Sequence, residues 1–289
     1  MILITGASGG FGKSAIQYLL EKGVPASEIT AMVRTEAKGE DLKAKDISLR
    51  IADYMDAGSL VRAFQGVDKL LFISSSDVAN RNEQHKHVVE AAMEAKVKHI
   101  VYTSFIRNRA VEQSVISFLQ DSHAKTENWI KESGISYTIL QNALYMEMIT
   151  TFAGEGVLEN GVITQPAESG KAALVTRDEL AEAAASVLTT EGHENKVYPL
   201  TNSETVSYQD IADSISAVSG KSVSYVSPDV ETFKADLAQM GVPAEYIGLF
   251  AAFSVAQAKG ELDIVDNSLE KLLGRTPTSA NAFIKQVYG

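Results

Sequence analysis

With 289 residues, 45% of them hydrophobic, and a formal net charge of −11, the chain is long enough for one large domain or two fused lobes. It has no cysteine, which excludes disulfides, thiolate nucleophiles, iron–sulfur ligation and Cys-based zinc sites, so any redox chemistry must come from a bound cofactor. The charge, unrelieved by any large Lys/Arg cluster, argues against nucleic acid and anionic membrane as partners, and no apolar run reaches the roughly 18 residues of a spanning helix.

Taken in chain order, β-rich runs are predicted at Ile2–Thr5, Ile29–Val33, Ser48–Ile51, Leu70–Ser74, His99–Thr103 and Tyr137–Leu140. Amphipathic stretches at Gly12–Glu21, Leu60–Gln65, Gln84–Ala95 and Ala124–Glu132 separate them. Apolar strands alternating with helices imply an α/β fold with a doubly wound parallel sheet covered on both faces, and a ligand crevice at the carboxyl ends of its strands. Beyond about residue 150 the rhythm changes. Thr176-Arg-Asp-Glu179 and Ser207-Tyr-Gln-Asp210 read as helix-starting capping boxes, Gly220 as a helix stop, and Pro228 and Pro243 as neighbours of new helix starts. Short β-runs at Lys196–Leu200 and Ser222–Val226 interrupt these helices. The expected organisation is a nucleotide-binding domain over 1–150 and a smaller, mostly helical C-terminal lobe over 151–289, part of which is free to return to the main sheet. The opening segment has no basic start or cleavage site of a signal peptide, so the expected location is the cytoplasm.

The first predicted strand runs straight into Gly6-Ala-Ser8-Gly9-Gly10-Phe11-Gly12 and then into a helical segment. Gly6 permits a tight turn off the strand, Gly9 lets the backbone approach a pyrophosphate, and Gly12 allows close packing of helix on strand. The helix N-terminus then faces the phosphates with free N–H groups. A glycine-rich turn alone carries little weight, but strand before and helix after favour a dinucleotide over an empty turn. The arrangement is that of a Rossmann sheet. A P-loop is excluded, because Ala7 stands where its first glycine is required before Gly12-Lys13-Ser14.

The second strand should end near the adenosine ribose, where an acidic residue selects NAD and an arginine favours the 2′-phosphate of NADP. Here it ends in Arg34, with Lys38 on the following turn, and NADP(H) is the expected cofactor. Glu36 is a competing candidate for the ribose hydroxyls. Asp53 and Tyr54 follow the third strand, and Ser74 and Ser75 close the fourth beside the expected pyrophosphate–ribose path.

Together with the glycine loop, Ala52-Asp-Tyr54, Leu70-Leu-Phe-Ile-Ser-Ser-Ser76 and Tyr102-Thr103-Ser104 resemble the NmrA-like branch of the atypical short-chain dehydrogenase/reductases. Asn142-Ala-Leu-Tyr145, Val175-Thr-Arg-Asp-Glu179 and Glu191-Gly-His-Glu-Asn-Lys-Val-Tyr198 are similar to the NADPH:quinone oxidoreductase type 2 and triphenylmethane reductase groups within it. The likeness spans essentially the whole chain and implies NADPH as cofactor, with hydride transfer to quinones or triarylmethane dyes. Thr103, Ser104 and Asn142 are further cofactor-binding candidates, Ser104, at the superfamily's catalytic serine position, contacting cofactor or substrate and Asn142 the nicotinamide carboxamide or the substrate carbonyl.

The wider superfamily uses Tyr-x-x-x-Lys, the tyrosine as acid/base and the lysine lowering its pKa. The only match, Tyr18 to Lys22, lies in the helix after the phosphate loop, remote from the nicotinamide. With Glu127 taken as the family's glutamate, His123 stands in the lysine's place and Leu119 in the tyrosine's, so the dyad is absent. That argues against alcohol oxidation and sugar epimerisation, which move a proton at oxygen. It leaves hydride delivery to an already electrophilic acceptor, resting on orientation and exclusion of water. His123 and Asn142 are the candidate catalytic residues, His123 as a ribose contact or proton donor if it is not simply a surface histidine. The expected pocket lining is Phe105, Ile106, Tyr145, Met146 and Met148, apolar enough for a flat aromatic or quinone substrate, with core packing as the alternative for the two methionines. His85-Lys-His87 has a metal-like composition but reads as a solvated helix face, and no metal is expected. The competing functions are an NmrA-like NADP sensor without turnover and, with the dyad missing, less favoured, a nucleotide-sugar epimerase. Helices at Arg177–Thr190 and Ala244–Ala258 would serve a substrate cleft, a homodimer or a protein partner equally well.

Overall fold

Seven parallel strands form the central sheet of the computed structural model, which describes residues 1–289 throughout. Six come from the first half: β1 (Ile2–Ile4), β2 (Ile29–Val33), β3 (Ser48–Ile51), β4 (Lys69–Phe72), β5 (His99–Phe105) and β6 (Ser136–Asn142). The seventh, Lys196–Leu200, pairs in parallel with β6 at the edge, Lys196 opposite Thr138 and Leu200 opposite Asn142. The spatial order is Lys196–Leu200, β6, β5, β4, β1, β2, β3. The order reverses between β1 and β4, and the crevice outside their carboxyl ends is where such sheets bind ligands.

All residues of β1 and β2 are buried, because helices cover both faces of the sheet. The two-residue period then sorts side chains between two cores. Ile2, Ile4, Ile29, Ala31, Val33, Leu71 and Val101 join one face, and Leu3, Met32, Leu70, Phe72, Ile100 and Tyr102 the other. The connecting helices are α1 (Gly10–Glu21), α2 (Glu40–Lys43), α3 (Ala57–Phe64), α4 (Arg81–Glu94) and α5 (Ser117–Glu132). α3 and α4 start earlier than the apolar pattern suggests. For α3 the reason is the cap, since Asp56 accepts from the Ser59 amide. α5 also starts early, reaching back to Ser117 through a polar stretch.

After β6 come the short α6 (Met148–Ala153) and α7 (Val157–Asn160), then α8 (Arg177–Thr189), whose apolar residues join α1 in the first core. Thr176 caps α8 by accepting from the Glu179 amide, and Ser207 with Asp210 makes a full capping box for α9 (Tyr208–Ser219). Gly220 ends α9 in the left-handed region at φ +71°. α10 (Val230–Gln239) and α11 (Ala244–Ala258) follow, and two further helices close the chain. A third core, with Leu144, Met146, Ile149, Phe152, Ile163, Tyr208, Ile211 and Ala256, includes residues of α6, α9, α11 and three two-stranded ladders. No helix is long and apolar enough to cross a membrane.

Candidate active site

The turn from β1 into α1 has the geometry the glycines require. Gly6 sits at φ +57°, and the Gly9 amide donates to its carbonyl at 3.0 Å. A Cβ on Gly12 would fall 2.6 Å from the Gly6 oxygen and 2.7 Å from the Ala7 Cα, so only glycine lets helix and loop approach this closely. The amides of Gly10, Phe11 and Gly12 donate to no atom of the protein, and the first turn of α1 has neither a side-chain cap nor an acidic residue. Gly6, Gly9 and Gly10 are exposed while Phe11 is anchored in the core. Ser8 is half-buried in the same loop.

At the end of β2, Arg34 and Lys38 are exposed and form no ion pair. Glu36 is engaged elsewhere: its carboxylate accepts from Lys43 Nζ at 2.7 Å, which holds it below the usual glutamate range. After β3, the Asp53 carboxylate accepts from the Met55 amide at 2.8 Å. The Tyr54 hydroxyl donates to the Ile73 carbonyl at 2.8 Å and lies 2.6 Å from Thr5 Oγ1. Tyr54 therefore clasps the carboxyl ends of β1 and β4, which frame the crevice.

Behind the end of β4 lies a buried polar network that no pattern in the sequence announces. The Ser74 amide donates to Thr103 Oγ1 (2.9 Å), and the Ser75 amide to His85 Nε2 (2.9 Å). Arg81 Nε donates to the Ser75 carbonyl at 2.7 Å, and its Nη1 lies 3.3 Å from His123 Nε2. An amide and a guanidinium can only donate, so Nε2 of each imidazole accepts and each ring carries its proton on Nδ1. His85 Nδ1 then donates to Thr126 Oγ1 (2.9 Å), and His123 Nδ1 to the Tyr102 hydroxyl (2.8 Å). Burial first, then neighbouring positive charge, pushes His85 down to about 2 and His123 well below the ordinary histidine range, so both rings are neutral. The expected solvated face at His85 and His87 is corrected. His85 is fully buried between Phe72 and Tyr102, and half-buried His87 bonds the Tyr54 carbonyl at 3.0 Å. His123 is likewise no surface residue; it is 5% exposed.

Ser104 is also buried, and its Oγ donates to Glu127 at 2.6 Å. Arg107 grips the same carboxylate with both terminal nitrogens, and Gln141 adds a fourth donor at 3.1 Å. Burial raises the Glu127 pKa, but the Arg107 and Ser104 bonds outweigh it and hold the group below its usual range. This cluster ties β5, β6 and α5 together behind the crevice.

Asn142 stands at the end of β6, 2% exposed, and neither its amide nitrogen nor its oxygen makes a well-formed hydrogen bond, although the Tyr145 hydroxyl lies near enough to feel the carboxamide. Each such orphan costs about 1–3 kcal/mol; Gln84, Gln120 and Glu147 carry one such atom each, and Asn142 alone carries two. Tyr145 is half-buried nearby, with the Arg177 guanidinium 4.7 Å above its ring. Phe105 lies 6.2 Å from the His123 ring and 6.3 Å from Phe253 of α11, an aromatic neighbour that sequence spacing did not single out. Phe105, Tyr145 and half-buried Met148 keep some exposure. The expected lining by Ile106 and Met146 is corrected: Ile106 is 3% exposed in the first core and Met146 0% in the third.

A doubly wound sheet with an open glycine loop at its switch point and an orphaned carboxamide at the far strand end defines a dinucleotide-binding protein. The NmrA-like family pattern matches residues 1–284. Quinone oxidoreductase 2 of Escherichia coli (strain K12) is 40% identical over 288 residues, covering 100% of this chain and 99% of that protein. The crystal structure of the Escherichia coli enzyme QOR2 complexed with NADPH superposes at a TM-score of 0.94, with 39% identity and 100% of both chains covered. That of Citrobacter sp. triphenylmethane reductase complexed with NADP(H) superposes at 0.92, with 41% identity over 99% of each chain. The chain belongs to the NmrA-like family.

Proposed function

We propose that this protein is an NADPH-dependent reductase delivering hydride to quinones or similar flat electrophiles. The observation that carries this is the α1 N-terminus: three amides without an acceptor, in a loop turned by left-handed Gly6 and closed against the helix at Gly12, where a Cβ would clash, open onto the switch-point crevice. They hold the pyrophosphate, with Ser8 beside them. Arg34 and Lys38, free of carboxylates, take the 2′-phosphate. Asp53, Ser74, Ser75 and Thr103 line the path between, and Tyr54 and Ser104 set the strand ends from behind. Asn142 uses its orphaned carboxamide to orient the nicotinamide amide or the acceptor carbonyl. When bound, NADPH supplies the hydride.

No tyrosine–lysine pair stands ready to protonate an oxygen, so the chain contributes orientation and a dry wall rather than a general acid. Phe105, Tyr145 and Met148 provide the apolar side of that wall for a flat acceptor. His123, neutral and hydrogen-bonded at both nitrogens, braces the site and does not titrate near neutrality. Residues 1–150 serve as the NADP-binding part and the chain from 151 as the acceptor-side lobe, although the strand Lys196–Leu200 lies in the main sheet. The cytoplasm, with its reduced NADPH pool, is the proposed location. The test is NADPH oxidation by purified protein against a panel of quinones and triarylmethane dyes, with NADH alongside. Turnover with NADPH well above NADH is expected. Tight NADP binding with no turnover across the panel would instead make the protein a cofactor sensor.

A further inference from the structure

We infer that Arg81 gives the acceptor site a fixed positive charge, which selects neutral acceptors that become anionic on reduction, quinones above all, over cationic dyes. The inference rests on the reductase proposal and narrows its substrate class.

Arg81 opens α4 and is 5% exposed, yet no carboxylate lies within ion-pairing distance of it. Its Nε and Nη1 are committed to the Ser75 carbonyl and to His123 Nε2, with Ser122 Oγ at 3.5 Å. Nη2 donates to no protein atom, and it is not among the polar atoms sealed from solvent without a partner. The free edge of the guanidinium therefore keeps contact with accessible space, beside the end of β4 and His123 and near enough to Tyr145 for the two to interact electrostatically. A buried cation is normally paired, because leaving it alone in a low-dielectric interior is costly. Here the surroundings fix its direction and leave its charge unspent.

The nearby charged groups do not cancel it. Glu127 is taken up by Arg107, Ser104 and Gln141, with Lys131 at 3.6 Å. Glu147 accepts from the Arg177 amide at the start of α8, and the Arg177 side chain lies over Tyr145. Asp77 lies near enough to favour the charged form of Arg81, but it is exposed, holds Asn80 and Gln84, makes no ion pair with Arg81, and is screened by solvent. His85 and His123 are neutral.

Hydride addition to a quinone carries two electrons and one proton to the acceptor, leaving a hydroquinone monoanion and NADP⁺, and a proton from water then completes the hydroquinone. Arg81 stabilises the monoanion and the transition state leading to it. A triarylmethyl cation gains nothing from this charge: it arrives positive, is repelled, and becomes neutral on reduction. Between a water-like and a protein-like dielectric, one such charge a few ångströms away is worth roughly tenfold to hundredfold in relative kcat/KM.

Two readouts test this. The first titrates a nitrophenol, whose phenolate absorbs in the visible and mimics the monoanion, bound to NADPH-loaded protein. Its bound pKa is expected at least about one pH unit below its value in water, retained in Arg81→Lys and lost in Arg81→Gln. The second compares kcat/KM for a neutral quinone and a cationic triarylmethane dye. Arg81→Gln should lower the quinone-to-dye ratio at least about tenfold, while Arg81→Lys preserves it. A wild-type titration at or above the value in water, or equal losses on both acceptors in Arg81→Gln, would overturn the inference. Should Arg81→Gln fail to fold, the wild-type titration and the Arg81→Lys ratio decide. No turnover with any acceptor, but a depressed nitrophenol titration, would sink the reductase proposal and leave the charged site standing. Turnover with an undepressed titration would do the reverse.

Discussion

Replacing Asn142 by leucine, which has nearly the same volume, should make the ligand-free protein more stable and the cofactor-bound protein worse. Both polar atoms of the Asn142 side chain are buried without a well-formed hydrogen bond, and the residue is 2% exposed. Relieving an orphaned buried group is worth about 1–3 kcal/mol, and an apolar isostere adds no void. If the two orphans together release about 1–3 kcal/mol, the melting temperature of the free protein rises by several degrees, since about 2–4 °C accompanies each kcal/mol in a chain approaching this size. Wild type with NADPH at about a hundred times its Kd gains about 2.7 kcal/mol by linkage. Asn142→Leu should recover only part of that gain, because the group that receives the ligand is gone. The assay is a thermal melt of both proteins, with and without NADPH, paired with kcat/KM. A free Asn142→Leu protein that melts at or below wild type, and shows the full NADPH-induced rise, would refute the idea that this carboxamide is held in reserve for a ligand.

Arg34→Glu should cut kcat/KM for NADPH by about tenfold to a hundredfold, the worth of charge-assisted bonds to one phosphate, and leave NADH little changed; steady-state kinetics with both cofactors checks it. Gly12→Ala places a Cβ 2.6 Å from a backbone oxygen, and overpacking of this kind should cost about 1–3 kcal/mol, read from denaturant midpoints. His85 and His123 stay neutral when folded but protonate at about pH 6.5 when unfolded, so their contribution is complete above that pH and is lost as pH falls toward the folded values. Stability should decline between pH 6 and 5 at up to about 1.4 kcal/mol per pH unit for each ring, with His99 and His193, also lowered, adding to the slope, and His85→Asn should remove one ring's share of it in urea titrations. An unchanged slope would mean the His85 ring is not the buried neutral group described.

The sheet was legible because its strands are apolar on both faces, and each predicted run lies within about two residues of the observed strand. The phosphate loop was legible because glycine spacing is a local requirement of the turn. Capping residues at Thr176 and Ser207 gave the later helix starts for the same reason. What stayed hidden was long-range. Arg81, His85, Tyr102 and His123 lie on three separate elements and become one network only when α4 and α5 pack against the same face. In a linear reading His85 is one polar residue on a polar helix, and no period or spacing separates a buried imidazole from a solvated one. Met146 and Ile106 failed for the converse reason: apolar character does not say whether a side chain borders a crevice or a core.

The most direct test of hydride transfer uses NADPH deuterated at one or the other nicotinamide C4 position, with a quinone acceptor, followed in single turnover. The expected result is a primary isotope effect on cofactor oxidation for one of the two labelled forms only, as a cofactor held in one orientation by the glycine loop, Arg34 and Asn142 requires. Equal isotope effects for the two labelled forms would contradict a single held orientation, and no acceptor-dependent oxidation of any form would leave a protein that binds the nucleotide without using its hydride.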